Sequence, residues 1–256
     1  MKEIAFFDSG VGGLTVLKET MKLLPFENYI YFADTDNVPY GIKPKEEVKK
    51  LVFDAVDFLV SQKVKMVVIA CNTATSVAIK DLRERFSLSI VGMEPAVKPA
   101  LQNNGNKKVL VLATSLTLAE QKLKELIETY DKNHQVDKLP LDGLVRFAEK
   151  FDFNSQDVVN YLQNEFSKVN INDYGTIVLG CTHFLYFKKT IKTLISEKTI
   201  LIDGNEGTAK NIKRILTEKN LLNTSKENGE VVFFASKKQN ENLARLWKNL
   251  LDSYEP

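Results

Sequence analysis

The feature that most constrains this chain is its alternation of short apolar runs with amphipathic stretches. Ile4–Phe7, Tyr29–Phe32, Lys65–Ala70, Ser89–Val91, Val109–Leu112, Thr176–Leu179, Thr199–Ile202 and Val231–Phe234 are short and bounded by turn or polar residues. They are β-branched or aromatic in character, so each predicts a strand. Between them lie helix-like segments. In residues 45–62, Val48, Leu51, Val52, Ala55, Val56 and Leu59 form one apolar stripe at helical spacing. Pro25 stops a helix begun near Leu14. Strands that alternate with helices imply α/β architecture, with mainly parallel sheets covered on both faces. Such sheets bind ligands at the carboxyl ends of their strands.

The chain has 256 residues, long for one α/β domain and suited to two small ones. An internal repeat supports two. Val67-Val68-Ile69-Ala70-Cys71-Asn72-Thr73 resembles Ile177-Val178-Leu179-Gly180-Cys181-Thr182-His183, and Ile4–Phe7 resembles Val109–Leu112 at a similar offset. Each half would carry a cysteine to the end of one strand. The polar loops at 103–106 and 223–229 read as turns. The expected division is 1–93 plus 205–256 as one unit and 94–204 as the other, with crossings near Glu94 and Gly204.

Composition excludes several classes. Hydrophobic residues make up 44% and charged residues 27%, so the chain can bury a core. Thirty-five Lys and Arg nearly balance 33 Asp and Glu, leaving +2, short of a basic nucleic-acid binder. Lysines 43, 45, 49 and 50 read as a solvated face. The first apolar run ends at Asp8, too short for a secretory h-region, and no run approaches membrane-spanning length. A cytoplasmic protein with two free thiols is expected, with no nucleic-acid or membrane partner. A homodimer is compatible with the sequence.

Cys71 and Cys181 each follow an apolar run and precede residues that could open a helix. A thiol at a helix N-terminus is expected to have a lowered pKa. A lone free cysteine is more often a small buried hydrophobe. Two in matching contexts favour function. Cys181-Thr182-His183 could start a zinc site, but only Cys71 and His134 remain as further Cys or His, and His134 sits in a polar stretch that reads as a surface loop. No metal site is expected. A Cys–His hydrolase would leave the second cysteine unexplained.

Asp8-Ser9-Gly10-Val11-Gly12-Gly13 is a glycine-rich strand-to-helix turn. Thr15 stands at the third glycine position of a dinucleotide fingerprint, and no P-loop ending is present. The glycines could let backbone N–H groups approach a small carboxylate, with Ser9 adding a hydroxyl. Asp8 could hold an ammonium or carry protons. A tight turn with a capping side chain is the plainer alternative.

Together, Asp8-Ser9-Gly10-Val11-Gly12-Gly13-Leu14, Pro39-Tyr40-Gly41, Ala70-Cys71-Asn72-Thr73-Ala74, Glu94-Pro95 and Leu179-Gly180-Cys181-Thr182-His183 closely resemble the glutamate racemase family, across nearly the whole chain. The resemblance implies two α/β domains related by a pseudo-twofold axis, with the site in the cleft between them. It implies a cofactor-independent isomerase that interconverts L- and D-glutamate and supplies D-glutamate for peptidoglycan. By resemblance, Cys71 and Cys181 are the paired acid and base. Asp8 and His183 assist them, and Glu149 and Asp34 are further acidic positions near the site. Asp8, Ser9, Tyr40, Gly41, Asn72, Thr73, Thr114, Thr117, Thr182 and His183 match substrate-binding positions. Leu185, Arg146, Asp36-Asn37 and Gly204 depart from the family's common residues. Two other readings are an aspartate or related racemase of the same superfamily, and a non-catalytic amino-acid-binding regulator.

Overall fold

The computed structural model describes residues 2–105 and 107–254; Asn106 of the first polar loop lies outside them. Its strands are β1 (Ile4–Asp8), β2 (Tyr29–Ala33), β3 (Met66–Ile69), β4 (Ser89–Gly92), β5 (Lys108–Ala113), β6 (Val136–Pro140), β7 (Tyr174–Leu179), β8 (Ile200–Asp203) and β9 (Val231–Ala235). They form two sheets, ordered β4-β3-β1-β2-β9 and β6-β5-β7-β8. Every pairing between these strands is parallel.

The internal repeat is a repeat of topology. Read as β8-β7-β5-β6, the second sheet has the order β4-β3-β1-β2 of the first, with each index raised by four. Registers agree as well. Phe7 of β1 pairs with Ile69 of β3, and Leu112 of β5 pairs with Leu179 of β7. Cys71 and Cys181 follow Ile69 and Leu179 by the same two residues. The β6 strand was not anticipated. It is an edge strand that carries Asp137 and Lys138, so its sequence lacks an apolar run. Asp137 pairs with Lys108 and accepts a hydrogen bond from the Tyr174 hydroxyl.

Burial follows the strand period of two. Ile4 and Phe6 of β1 join the core on one face of the first sheet, and Ala5 and Phe7 the core on the other. In β5, Leu110 and Leu112 face one core and Val109 and Val111 another. The helix Lys45–Ser61 buries Val48, Val52, Ala55, Val56 and Leu59, while Leu51 is half-buried. Its lysines lie outside that stripe. Lys45 pairs with Glu120 and Lys49 with Asp81. The helix Leu14–Leu23 ends two residues before Pro25. No described helix is long and apolar enough to cross a membrane.

Candidate active site between the two sheets

The carboxyl ends of β1, β3, β5 and β7 deliver the side chains singled out above. Cys71 N-caps the helix Asn72–Arg85, and its Sγ accepts the Ala74 N–H at 3.4 Å. Ser9 Oγ lies 3.7 Å from the same sulfur. Cys181 differs. It precedes a 3-10 turn, Thr182–Phe187, and caps nothing with its side chain. The expected matching helix starts are therefore present only at Cys71. The Cys181 sulfur instead lies 3.9 Å from His183 Nδ1.

The expected lowering of both thiol pKa values does not hold at Cys71. Burial comes first, the Asp8 charge adds to it, and together they push the thiol up to about 12. The Ala74 and Ser9 hydrogen bonds act the other way and are outweighed. The helix dipole is worth little against removing a sulfur anion from water. Cys71 is therefore a neutral thiol in this closed site. Cys181 is close enough for its charge to raise Cys71 further.

His183 has the opposite setting. Burial favours its neutral form, but hydrogen bonds to Cys181 and Glu149 and the Asp8 charge outweigh burial and hold its pKa well above the usual value. His183 Nε2 lies 2.7 Å from Glu149 Oε1. As an imidazolium it donates Nε2–H to Glu149 and presents Nδ1–H towards Cys181, the pairing that supports a sulfur anion. Glu149 ends the helix Asp142–Glu149, and its Oε1 also accepts the Val11 N–H at 2.8 Å. It thereby ties the second sheet's unit to the glycine-rich turn of the first.

Asp8 Oδ1 accepts the Gly10 N–H at 2.9 Å, and Oδ2 accepts the Thr182 hydroxyl at 3.0 Å. Burial dominates and raises its pKa to about 6, although His183 and both hydrogen bonds favour the anion. A carboxyl that titrates near neutrality can take and return a proton.

The glycines of the turn are spaces for these groups. A Cβ on Gly12 would stand 2.4 Å from both His183 Nδ1 and Thr182 Oγ1, and one on Gly10 would meet the Glu149 carboxylate. Gly41 has the same role across the cleft, since a Cβ there would lie 2.5 Å from Thr114 Cβ. This lets the Tyr40–Ile42 turn rest against Thr114. Thr73, Thr114 and Thr117 close a ring of hydroxyls, at 2.9, 3.1 and 2.9 Å. Asn72 is buried, with Oδ1 unpaired.

Asp34 directly follows β2, and its N–H donates to Asp8 O at 3.1 Å. It accepts the Tyr40 hydroxyl at 2.6 Å, the Asn37 amide and the Ser236 hydroxyl, so it positions Tyr40. Sequence reasoning missed the two phenols that hold the turn. Tyr31 donates to Gly10 O at 2.6 Å and Tyr186 to Val11 O at 2.8 Å. The available signal was a tyrosine inside an apolar run, because a buried phenol needs an acceptor. His134 lies exposed in its loop. Among the described residues, no group of three or more His, Cys, Asp or Glu side chains is placed to hold a metal ion.

A model of the Asp/Glu/Hydantoin racemase family matches residues 16–212. The glutamate racemase of Halothermothrix orenii is 49% identical over 248 residues, covering 97% of this chain and 98% of its own. The chain belongs to the glutamate racemase family. Glutamate racemase 2 of Bacillus subtilis is 52% identical over 236 residues, covering 91% of this chain and 88% of its own. The crystal structure of the family member from Francisella tularensis, in complex with D-glutamate, superposes with a TM-score of 0.84. It is 28% identical and covers 98% of this chain and 94% of that one. The likeness therefore spans both sheets.

Proposed function

We propose that this protein interconverts L- and D-glutamate by proton abstraction and return at the α-carbon, with Cys71 and Cys181 as the two acid/bases. The observation that carries this reading is the pairing of equivalent strand ends: β3 and β7 each deliver one thiol, each with its own polar partners. The full-length likeness to glutamate racemases supports glutamate as substrate. Cys71 is held as a thiol, and Cys181 sits beside a protonated His183. In that state Cys181 removes the proton of L-glutamate and Cys71 protonates the opposite face. The reverse reaction starts from the exchanged state. Asp8, titrating near 6, takes up and returns protons on the Cys71 side. Glu149 fixes the His183 ring and its charge.

The substrate carboxylates need donors. Ser9, Asn72, Thr73, Thr114, Thr117 and Thr182 supply hydroxyl and amide groups, and the hydroxyl ring of Thr73, Thr114 and Thr117 can turn its protons outwards to an anion. Tyr40 and Gly41 complete the wall. Backbone N–H groups at the start of the helix Asn72–Arg85 stabilise the negative charge that builds on the α-carboxylate.

The same reading divides the chain into 1–93 plus 205–256 and 94–204. The strand membership of the two sheets supports this division. It also places the enzyme in the cytoplasm, where thiols stay reduced, and gives it the supply of D-glutamate for peptidoglycan as its role.

The test is circular dichroism or chiral chromatography of dialysed protein given D- or L-glutamate, with a chelator and no added cofactor. Each isomer should approach the racemic mixture. Activity that needs added metal or pyridoxal phosphate, or turnover of aspartate in preference to glutamate, would overturn the reading.

A further inference from the structure

Val11 is held from across the cleft at both of its backbone polar groups. Glu149 Oε1 accepts its N–H at 2.8 Å, and Tyr186 donates its hydroxyl to its carbonyl oxygen at 2.8 Å. Tyr186 belongs to the 3-10 turn Thr182–Phe187 that follows Cys181. A 3-10 helix has about three residues per turn, so side chains at i and i+3 eclipse. His183 and Tyr186 therefore share one face of the turn. His183 reaches the Val11 N–H through Glu149, and Tyr186 reaches the carbonyl directly.

Packing fixes where that hydroxyl points. The Tyr186 ring stacks on Phe153, with centroids 4.9 Å apart, and Tyr254 meets it edge-on at 5.4 Å. Two other contacts join this region to the first sheet's unit, Thr182 on Asp8 and the Glu149 oxygen shared by Val11 and His183. Both involve groups that the mechanism charges and discharges. The Tyr186 contact does not, because burial holds the phenol well above its ordinary pKa and a peptide oxygen does not titrate. It is thus constant through the proton transfers. We infer that Tyr186 is a positioning residue, which seats the turn carrying Cys181 and His183 on the glycine-rich turn and so sets the reach of the Cys181 sulfur to the substrate's α-carbon. Cys71 is fixed separately, within the first unit, as N-cap of the helix Asn72–Arg85. The inference rests on the two-thiol reading for what is positioned, whereas the grip on Val11 stands without it.

Tyr186→Phe tests it, because the ring stays between Phe153 and Tyr254 and only the hydroxyl is lost. Losing one hydrogen bond that sets a reacting distance should lower kcat about tenfold and leave KM within about twofold. The rate alone does not say which thiol has moved, since enantiomers have equal free energy and each direction crosses both proton transfers. Substrate deuterated at the α-carbon does. A slowed Cys181 transfer becomes more rate-limiting, so the isotope effect with deuterated L-glutamate should rise. That with deuterated D-glutamate should fall towards one. A purely structural loss of folded protein scales the rate and moves neither isotope effect. A kcat within about twofold of the parent value, a loss confined to KM, or unmoved isotope effects overturns the inference. The opposite asymmetry also overturns it, once α-proton exchange in Cys71→Ser and Cys181→Ser has fixed which thiol serves which isomer.

Hydrogen exchange at the Val11 amide, measured without substrate, separates this inference from the racemase reading. In Tyr186→Phe the Val11 N–H should exchange about tenfold faster, while the amides of the central strand β1 keep their protection. If the parent protein racemises no glutamate and Val11 still shows this change, the grip stands and the racemase reading fails. Unchanged exchange at Val11 overturns the inference.

Discussion

Glu149 Oε1 lies 2.7 Å from His183 Nε2, and the same oxygen accepts the Val11 N–H across the cleft at 2.8 Å. One carboxylate oxygen thus sets both the charge of the imidazole and the position of the turn that carries Asp8. The two tasks can be separated, because an amide oxygen keeps the acceptor and removes the charge.

Glu149→Gln should therefore preserve the fold and lower the His183 pKa. A histidine whose folded pKa is raised adds stability below its ordinary value near 6.5, and that stability is lost as pH rises through the folded value. In Glu149→Gln the loss should come at lower pH. Racemisation should fall about a hundredfold, the scale of a displaced acid–base partner. Nitrogen-15 NMR can follow the change directly, since the chain has only two histidines. An unmoved His183 titration would exclude Glu149 as the group that holds its proton.

Asp8→Asn should make the protein more stable and less active. The Asp8 pKa is raised from 3.8 to about 6, mainly by burial. An acid whose folded pKa is raised binds its proton more tightly when folded, so its favourable contribution is present below pH 4 and lost between about pH 4 and 6. At neutral pH the buried charge costs about 3 kcal/mol, from about 1.4 kcal/mol per unit. The amide keeps the Gly10 acceptor and can donate to Thr182. Thermal unfolding at pH 7.5 should show a higher Tm for Asp8→Asn, with the difference closing by pH 4. Equal Tm values at both pH values would mean that the carboxyl is not strained by burial.

Serine at either thiol position should abolish racemisation almost completely, since a hydroxyl keeps the shape but is a far weaker acid. One-sided chemistry should survive. Cys71→Ser should still exchange the α-proton of L-glutamate slowly, and Cys181→Ser that of D-glutamate. Deuterium incorporation, measured on each isomer with each variant, checks this. Racemisation at the parent rate in either variant excludes the two-thiol mechanism. Exchange of the same isomer by both variants excludes the facial assignment alone.

What the sequence determined is what depends on local patterning and on side-chain identity. Apolar runs such as Ile4–Phe7 and Thr176–Leu179 marked strands because a strand buried on both faces is apolar along its length. The repeat around Cys71 and Cys181 marked equivalent strand ends, because two similar apolar runs each form a buried strand that stops at the same place before its cysteine. The edge strand β6 escaped, since an edge tolerates Asp137 and Lys138. Only the tertiary structure decided what surrounds each thiol. Cys71 looked activated from its helix start, yet burial beside Asp8 made it a weak acid. Cys181 looked like its twin, yet it precedes a 3-10 turn and faces an imidazolium. Glu149, Tyr31 and Tyr186 reach the turn from 138, 21 and 175 positions away in sequence. A pKa is set by dielectric and by charges within a few ångströms, and those neighbours come from distant parts of the chain that only folding brings together.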